Sequence, residues 1–150
     1  TAETYDTPQE IGQVLAKLPS RCRSGTAGDL MSRPVASLRE DAALSSAVDL
    51  FQRERHSTYP VVDQAGRVTG LLRRADCLEW LKHHALDSAA SVKDLPVKRP
   101  LLVSPETPLP EVFETLVRTG ASKAVVVDAE SGLLGILTLY DLLTCEAGAG

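Results

Sequence analysis

The chain has 150 residues, 43% of them hydrophobic, enough for one ordinary domain or two small halves sharing a core. A formal net charge of −4 argues against a general nucleic-acid or anionic-membrane surface, and no apolar run approaches the roughly 18 residues that a bilayer span needs. Cys22, Cys77 and Cys145 are odd in number and form no C-x-x-C, so they read as cytosolic thiols rather than a disulfide framework or a zinc site. No signal peptide is visible, and a start at Thr1 instead of Met points to a piece cut from a longer protein.

In chain order, Thr1 to Thr7 are polar and loose. Pro8 to Leu18 read as a short helix, with Ile11, Val14, Leu15 and Leu18 at helical spacing, and Pro19 ends it. This lead-in, followed by the basic link Ser20 to Gly25, is expected either to pack against a body or, preferentially, to act as a joint to something upstream. Thr26 to Met31 is one helical turn, and Val35 to Leu38 a short strand. Asp41 is expected to cap a helix from Ala42 to about Arg55 with Leu44, Ala47, Val48 and Phe51 inward. Tyr59 to Val62 and Val68 to Leu72 are strands around the turn Asp63-Gln64-Ala65-Gly66. Arg74 to His84 is a helix with Leu78 and Leu81 inward. Trp80 lies on it as a core edge or, preferentially, an interface anchor.

After the small-residue linker Asp87 to Ala90 the pattern restarts. Ser91 to Leu95 is a turn and Leu101 to Val103 a strand. Thr107-Pro108 opens a helix in which Glu111 completes a capping box to Thr107 and Leu109, Val112, Phe113, Leu116 and Val117 form the core stripe. Gly120 ends that helix. Ala124 to Val127 and Leu133 to Leu137 are strands, Leu139 to Cys145 is the last helix, and 147–150 are a disordered tail. Each half reads strand, helix, strand, strand, helix.

The restart is a true repeat. At an offset of 65, Ala36 to Leu78 match Leu101 to Leu143 without a gap. Identities include Leu44 with Leu109, Ser57 with Ser122, Val61-Val62-Asp63 with Val126-Val127-Asp128, Gly70 with Gly135 and Asp76 with Asp141. In the second copy, Gly135-Ile136-Leu137-Thr138-Leu139-Tyr140-Asp141 sets a hydroxyl and a carboxylate at the start of a helix. That place suits an anionic or polar ligand, and equally a purely structural capping box.

Two β-α-β-β-α copies, with h-P-V-V-D or h-V-V-V-D before a turn and a G-h-h-T-x-x-D stretch after it, from which the first copy departs at Arg73, resemble a pair of cystathionine-β-synthase (CBS) domains, a Bateman module. The likeness runs from Thr26 to Glu146, with 26–86 as the first domain, 87–146 as the second and 1–25 as lead-in. Asp29-Leu30-Met31, echoed by Asp94-Leu95, matches the family's lead-in motif. It implies an α/β (α+β) fold of two repeats packed by pseudo-two-fold symmetry, and a regulatory module rather than an enzyme. Such a module would bind AMP, ADP, ATP or S-adenosylmethionine in inter-repeat clefts and modulate a parent protein, for which a membrane transporter is one candidate.

Carried over by motif, Asp141 would hold the ribose hydroxyls and Thr138 lie near the phosphate, while Ser122 and Lys123 face the phosphate and Leu102, Val103 and Ser104 meet the base. In the first half Arg73 stands where Thr is expected. It would grip phosphate, fill the cleft or pair with Asp76, and His56 lies in the phosphate-side loop. A homodimer and a cytoplasmic location, for instance as the cytosolic domain of a membrane protein, are further expectations, with no required cofactor, no metal and no nucleic acid. A ligand-free dimerisation scaffold is the alternative.

His83 and His84 are adjacent on a helix and point about 100° apart, so they do not share an ion. They read as solvated helix-end residues, Cys77 as core filler, and Arg53-Glu54-Arg55 and Arg73-Arg74 as solvated faces.

Overall fold

A computed structural model describes residues 12–13, 15–33, 36–54, 56–84 and 89–146. The expected helix from Pro8 lies partly, and the tail 147–150 wholly, outside them. The elements are α1 (Ala27–Leu30), β1 (Leu38–Arg39), α2 (Leu44–Arg53), β2 (Thr58–Val62), β3 (Val68–Arg73), α3 (Arg74–Leu81), β4 (Leu102–Val103), α4 (Leu109–Thr119), β5 (Lys123–Val127), β6 (Leu133–Thr138) and α5 (Leu139–Thr144). Short 3-10 turns occupy Ser20–Cys22 and Val92–Asp94.

The chain forms two compact units, one of residues 36–100 and one of residues 1–35 with 101–150. Each holds a three-stranded sheet, ordered β1-β2-β3 or β4-β5-β6, with its first pair parallel and its second antiparallel. The repeat is kept to the hydrogen bond: Thr58 pairs with Arg73 as Lys123 pairs with Thr138, and an irregularity falls at Val61/Val62 and again at Val126/Val127.

In the unit of residues 36–100, Leu44, Ala47, Leu50 and Phe51 of α2 bury one face against Tyr59, Val61 and Leu72 of the sheet. Cys77 of α3 joins this core, and Trp80 packs partly against it. In the other unit, Leu109, Val112, Phe113 and Leu116 of α4 do the same against Ala124, Val126 and Leu137. Side chains buried this completely contribute about 1.5–3 kcal/mol each.

The lead-in turns do not join the repeat that follows them in sequence. Ala27, Leu30 and Met31 belong to the core of the unit built on β4–β6, where Ala27 N–H donates to Thr107 O (2.8 Å) and Gly28 N–H to Pro105 O (2.8 Å). Reciprocally, Val92 and Leu95 complete the core of the unit built on β1–β3, with Val92 N–H donating to Ala42 O (2.9 Å). Both turns are closed alike: Thr26 N–H donates to Asp29 Oδ2 and Ser91 N–H to Asp94 Oδ2, each at 2.9 Å. Beyond each turn the chain bridges to a sheet, Ser32 with Ile136 and Lys98 with Leu71.

Gly135 and Gly70 make room for these bridges. A Cβ on Gly135 would stand 2.8 Å from Ser32 O and 2.8 Å from Met31 Sδ, and one on Gly70 would run into the Val97 side chain.

Several expectations are corrected. The N-terminal segment is not merely a joint, since Leu18 (2% exposed) and Cys22 are buried in the core of the β4–β6 unit. Cys22 and Cys145 form a disulfide, Cα–Cα 5.9 Å, leaving Cys77 as the buried free thiol. Asp41 does not cap α2. It pairs with Arg39 (2.9 and 3.1 Å), and those hydrogen bonds hold its carboxyl below the usual range.

Thr107 makes no box with Glu111, and its hydroxyl instead accepts from Ser104 N–H (3.1 Å). Leu78 is not inward but 54% exposed, while Leu50 is buried. Arg74 is no solvated residue: it caps α2 by donating to Phe51 O (2.8 Å) and lies over the Phe51 ring.

The two hairpins differ at one residue. Asp63 Oδ1 accepts from Ala65 and Arg67 N–H, and Asp128 Oδ1 from Glu130 and Gly132 N–H, so both turns close on an aspartate. The positive φ at Gly66 (84°) recurs at its repeat partner Ser131 (65°). A non-glycine residue there costs on the order of 1 kcal/mol. Ser131→Gly is therefore expected to raise the unfolding free energy by about that amount in a urea titration, and an unchanged midpoint would contradict it.

Candidate functional site

The candidate residues of the second repeat lie on one sheet and the helix that leaves it. Lys123 opens β5 directly across from Thr138 at the end of β6. Ser122, just before it, accepts Leu139 N–H on its carbonyl (2.8 Å), which ties the loop to the start of α5. Thr138 N–H donates to Asp141 Oδ2 and Asp141 N–H donates to Thr138 Oγ1, both at 3.0 Å, a complete and buried capping box. Ser122, Lys123, Thr138 and Asp141 are thereby brought to one end of the β5–β6 pair.

Leu102 and Val103 form the outer strand β4, in register with Val125 and Val126. Leu102 is 39% exposed, an apolar surface on the sheet's edge strand. Ser104 follows, with its hydroxyl 3.0 Å from Thr107 Oγ1, so it is engaged in the turn before α4.

Asp141 itself is only 1% exposed. It caps its own helix, and a ribose would reach it only by displacing what covers it. Asn at this position would keep an acceptor for Thr138 N–H and remove the charge.

The first repeat is built differently at the same point. Arg73, in place of Thr, forms a two-pronged ion pair with Asp76 (Nε–Oδ2 2.7 Å, Nη2–Oδ1 3.1 Å). Pairing with Asp76, one of the three roles expected of Arg73, is present. The Arg73 hydrogen bonds hold the Asp76 carboxyl below its ordinary range and push Arg73 up. The stabilisation is complete above the unfolded carboxylate range and is lost as pH falls through the lowered value. With Arg73 half exposed it amounts to no more than about 1 kcal/mol.

His56 is exposed on the loop before β2, its ring edge-on to Tyr59 at 5.9 Å between centroids. The loop bond recurs, Arg74 N–H donating to Ser57 O (2.7 Å). His83 and His84 are also exposed, and the His84 ring stacks on Trp80 at 3.8 Å. Among the described residues no group of His, Cys, Asp and Glu is arranged to hold a metal ion, and no helix is long and apolar enough to cross a membrane.

The arrangement is thus a duplicated sheet-and-helix scaffold whose two helix starts have diverged. The sequence pattern of the CBS domain matches residues 27–83 and again 92–148. The chain belongs to the CBS-domain family and carries the domain as a tandem pair.

Over 118 residues, 74% of the chain, it is 32% identical to the 5'-AMP-activated protein kinase subunit gamma-3 of Sus scrofa. It spans about a quarter of the length of this and the orthologous gamma-3 subunits. Among solved structures it resembles CBSX2 in complex with AMP, 25% identical, TM-score 0.68, covering 81% of this chain and 96% of that one. It shares its fold with the CBS domain of a bacterial CNNM/CorC family Mg2+ transporter in complex with ATP, 19% identical, TM-score 0.74, covering 93% and 99%.

Proposed function

We propose that this CBS pair is a regulatory, non-enzymatic module that binds one adenosine phosphate, at its second repeat. The observation that carries this reading is the contrast between the two helix starts. The second repeat keeps Thr138 and Asp141 together in a capping box, whereas in the first Arg73 stands at the Thr position and takes up both oxygens of Asp76. A carboxylate accepts two vicinal hydroxyls well, and Lys123 across from Thr138 supplies a cation for phosphate. Leu102, Val103 and Ser104 would receive the base on the outer strand. The kinship with gamma-3 subunits of an AMP-activated kinase and with CBSX2, solved with AMP, supports an adenosine ligand.

Bound ligand would bias a parent or partner protein, such as a membrane transporter, by no more than its affinity difference between two states. Exposed Leu78, Tyr140 and Leu143 on the last helix of each repeat support association with a second copy. A cytoplasmic setting fits such a module.

Titration calorimetry with AMP and with adenosine tests the site. Lys123→Glu is expected to weaken AMP about tenfold or more and adenosine little, as loss of a charge-assisted phosphate contact should. Equal losses for both ligands would place the phosphate elsewhere. An absence of binding by AMP, ATP and S-adenosylmethionine would leave the scaffold reading.

A further inference from the structure

α5, which carries Asp141 in its first turn, is only six residues long and so has little stability of its own. Both its ends are held. At the front is the capping box of Thr138 and Asp141. At the back, Cys145 follows the helix in a left-handed conformation (φ 56°) and is bonded to Cys22. Arg21, next to Cys22, donates to Thr144 O, the last carbonyl of the same helix. Cys22 is buried in the core of this unit, whereas Cys145 is partly exposed. Of the two cysteines, Cys145 is the one nearer solvent.

We propose that the Cys22–Cys145 disulfide is a redox switch on the adenosine-phosphate site, a proposal that rests on the reading of that site given above. In the reducing direction a dithiol supplies the electrons. Its thiolate attacks Cys145 Sγ, the Cys22–Cys145 bond breaks, and Cys22 Sγ leaves and takes up a proton. The second thiol of the dithiol then resolves the mixed disulfide, releasing Cys145 as a thiol and the reductant as its own disulfide. Oxidation by a small-molecule disulfide reverses the exchange.

Once the bond is open, Cys145 loses its covalent anchor and only the backbone bond from its N–H to Asp141 O still holds a left-handed conformation that non-glycine residues avoid. The back of α5 frays towards Tyr140, and the Asp141 carboxylate loses its fixed direction. In an intracellular protein such a bond is more often a sensor than a permanent brace.

The test uses the whole chain, oxidised with glutathione disulfide or reduced with a dithiol, with reactive thiols counted under denaturing conditions. The count is expected to rise from one, Cys77, to three on reduction. The affinity for AMP should fall by about fivefold or more, the usual lower size of a coupling between sites. The Cys22→Ser, Cys145→Ser double variant should bind like the reduced chain in either buffer.

Three thiols after oxidation, or equal AMP affinity in the two redox states, would overturn the switch. If the oxidised chain binds no adenosine phosphate at all, the site reading fails instead, and amide hydrogen exchange decides the switch by itself. Faster exchange at 141–146 on reduction, with β2 and β3 unchanged, would support it, and identical exchange would overturn it.

Discussion

Replacing Gly135 by valine is expected to destabilise the β4–β6 unit by about 3 kcal/mol, through overpacking and the loss of bridging hydrogen bonds. Gly135 is not at a positive φ, so the cost is one of space. Its missing side chain leaves room for Ser32, whose N–H donates to Ile136 O (2.8 Å) and whose carbonyl accepts Ile136 N–H (3.1 Å). Met31 could swing aside from the new methyl groups, but Ser32 O is backbone and would have to leave the sheet. Urea unfolding measures the loss. Gly12→Ala, whose added methyl meets nothing, is the control and should shift the midpoint little. A Gly135→Val chain as stable as the control would contradict the lead-in exchange.

Replacing Arg73 by threonine is expected to create a second ligand site. The substitution removes the guanidinium from Asp76 and restores the Thr-x-x-Asp spacing found at Thr138 and Asp141. Stability should change little. An exposed ion pair worth at most about 1 kcal/mol is exchanged for a capping box worth about as much. Calorimetry should then count two AMP molecules per chain where the parent is expected to take one. A count that stays at one would show that the first repeat is closed by something other than Arg73.

The duplication was legible in the residues, and with it the order of elements. Identities at a fixed offset report equal environments, and Ser57 and Ser122 indeed receive equivalent backbone bonds from Arg74 and Leu139. Apolar periodicity also found the buried faces of α2 and α4. It reports that a face is buried, however, and not what buries it. The exchange of lead-in turns was therefore invisible, and Gly70 and Gly135 were motif letters without a reason.

Cys22 and Cys145 were missed as a pair for a related cause. They lie 123 residues apart, and only the docking of the N-terminal turn on the β4–β6 unit brings them together. Leu78 was misplaced because Leu78-Glu79-Trp80-Leu81 has apolar residues on more than one face of a short helix. At the candidate site the motif named Thr138 and Asp141. That their box is buried and complete, and that Arg73 grips Asp76 with both prongs, required side-chain geometry.

The most direct measurement is AMP binding to the oxidised chain and to its Asp141→Asn variant. Asparagine retains an oxygen for Thr138 N–H, so thermal unfolding without ligand should be nearly unchanged while the charge proposed to accept ribose hydroxyls is gone. AMP at about 100 times its dissociation constant should stabilise the parent chain by about 2.7 kcal/mol, a shift of several degrees, and the variant far less. Equal shifts in the two proteins, or none in the parent with AMP near millimolar, would contradict a nucleotide site at the second repeat.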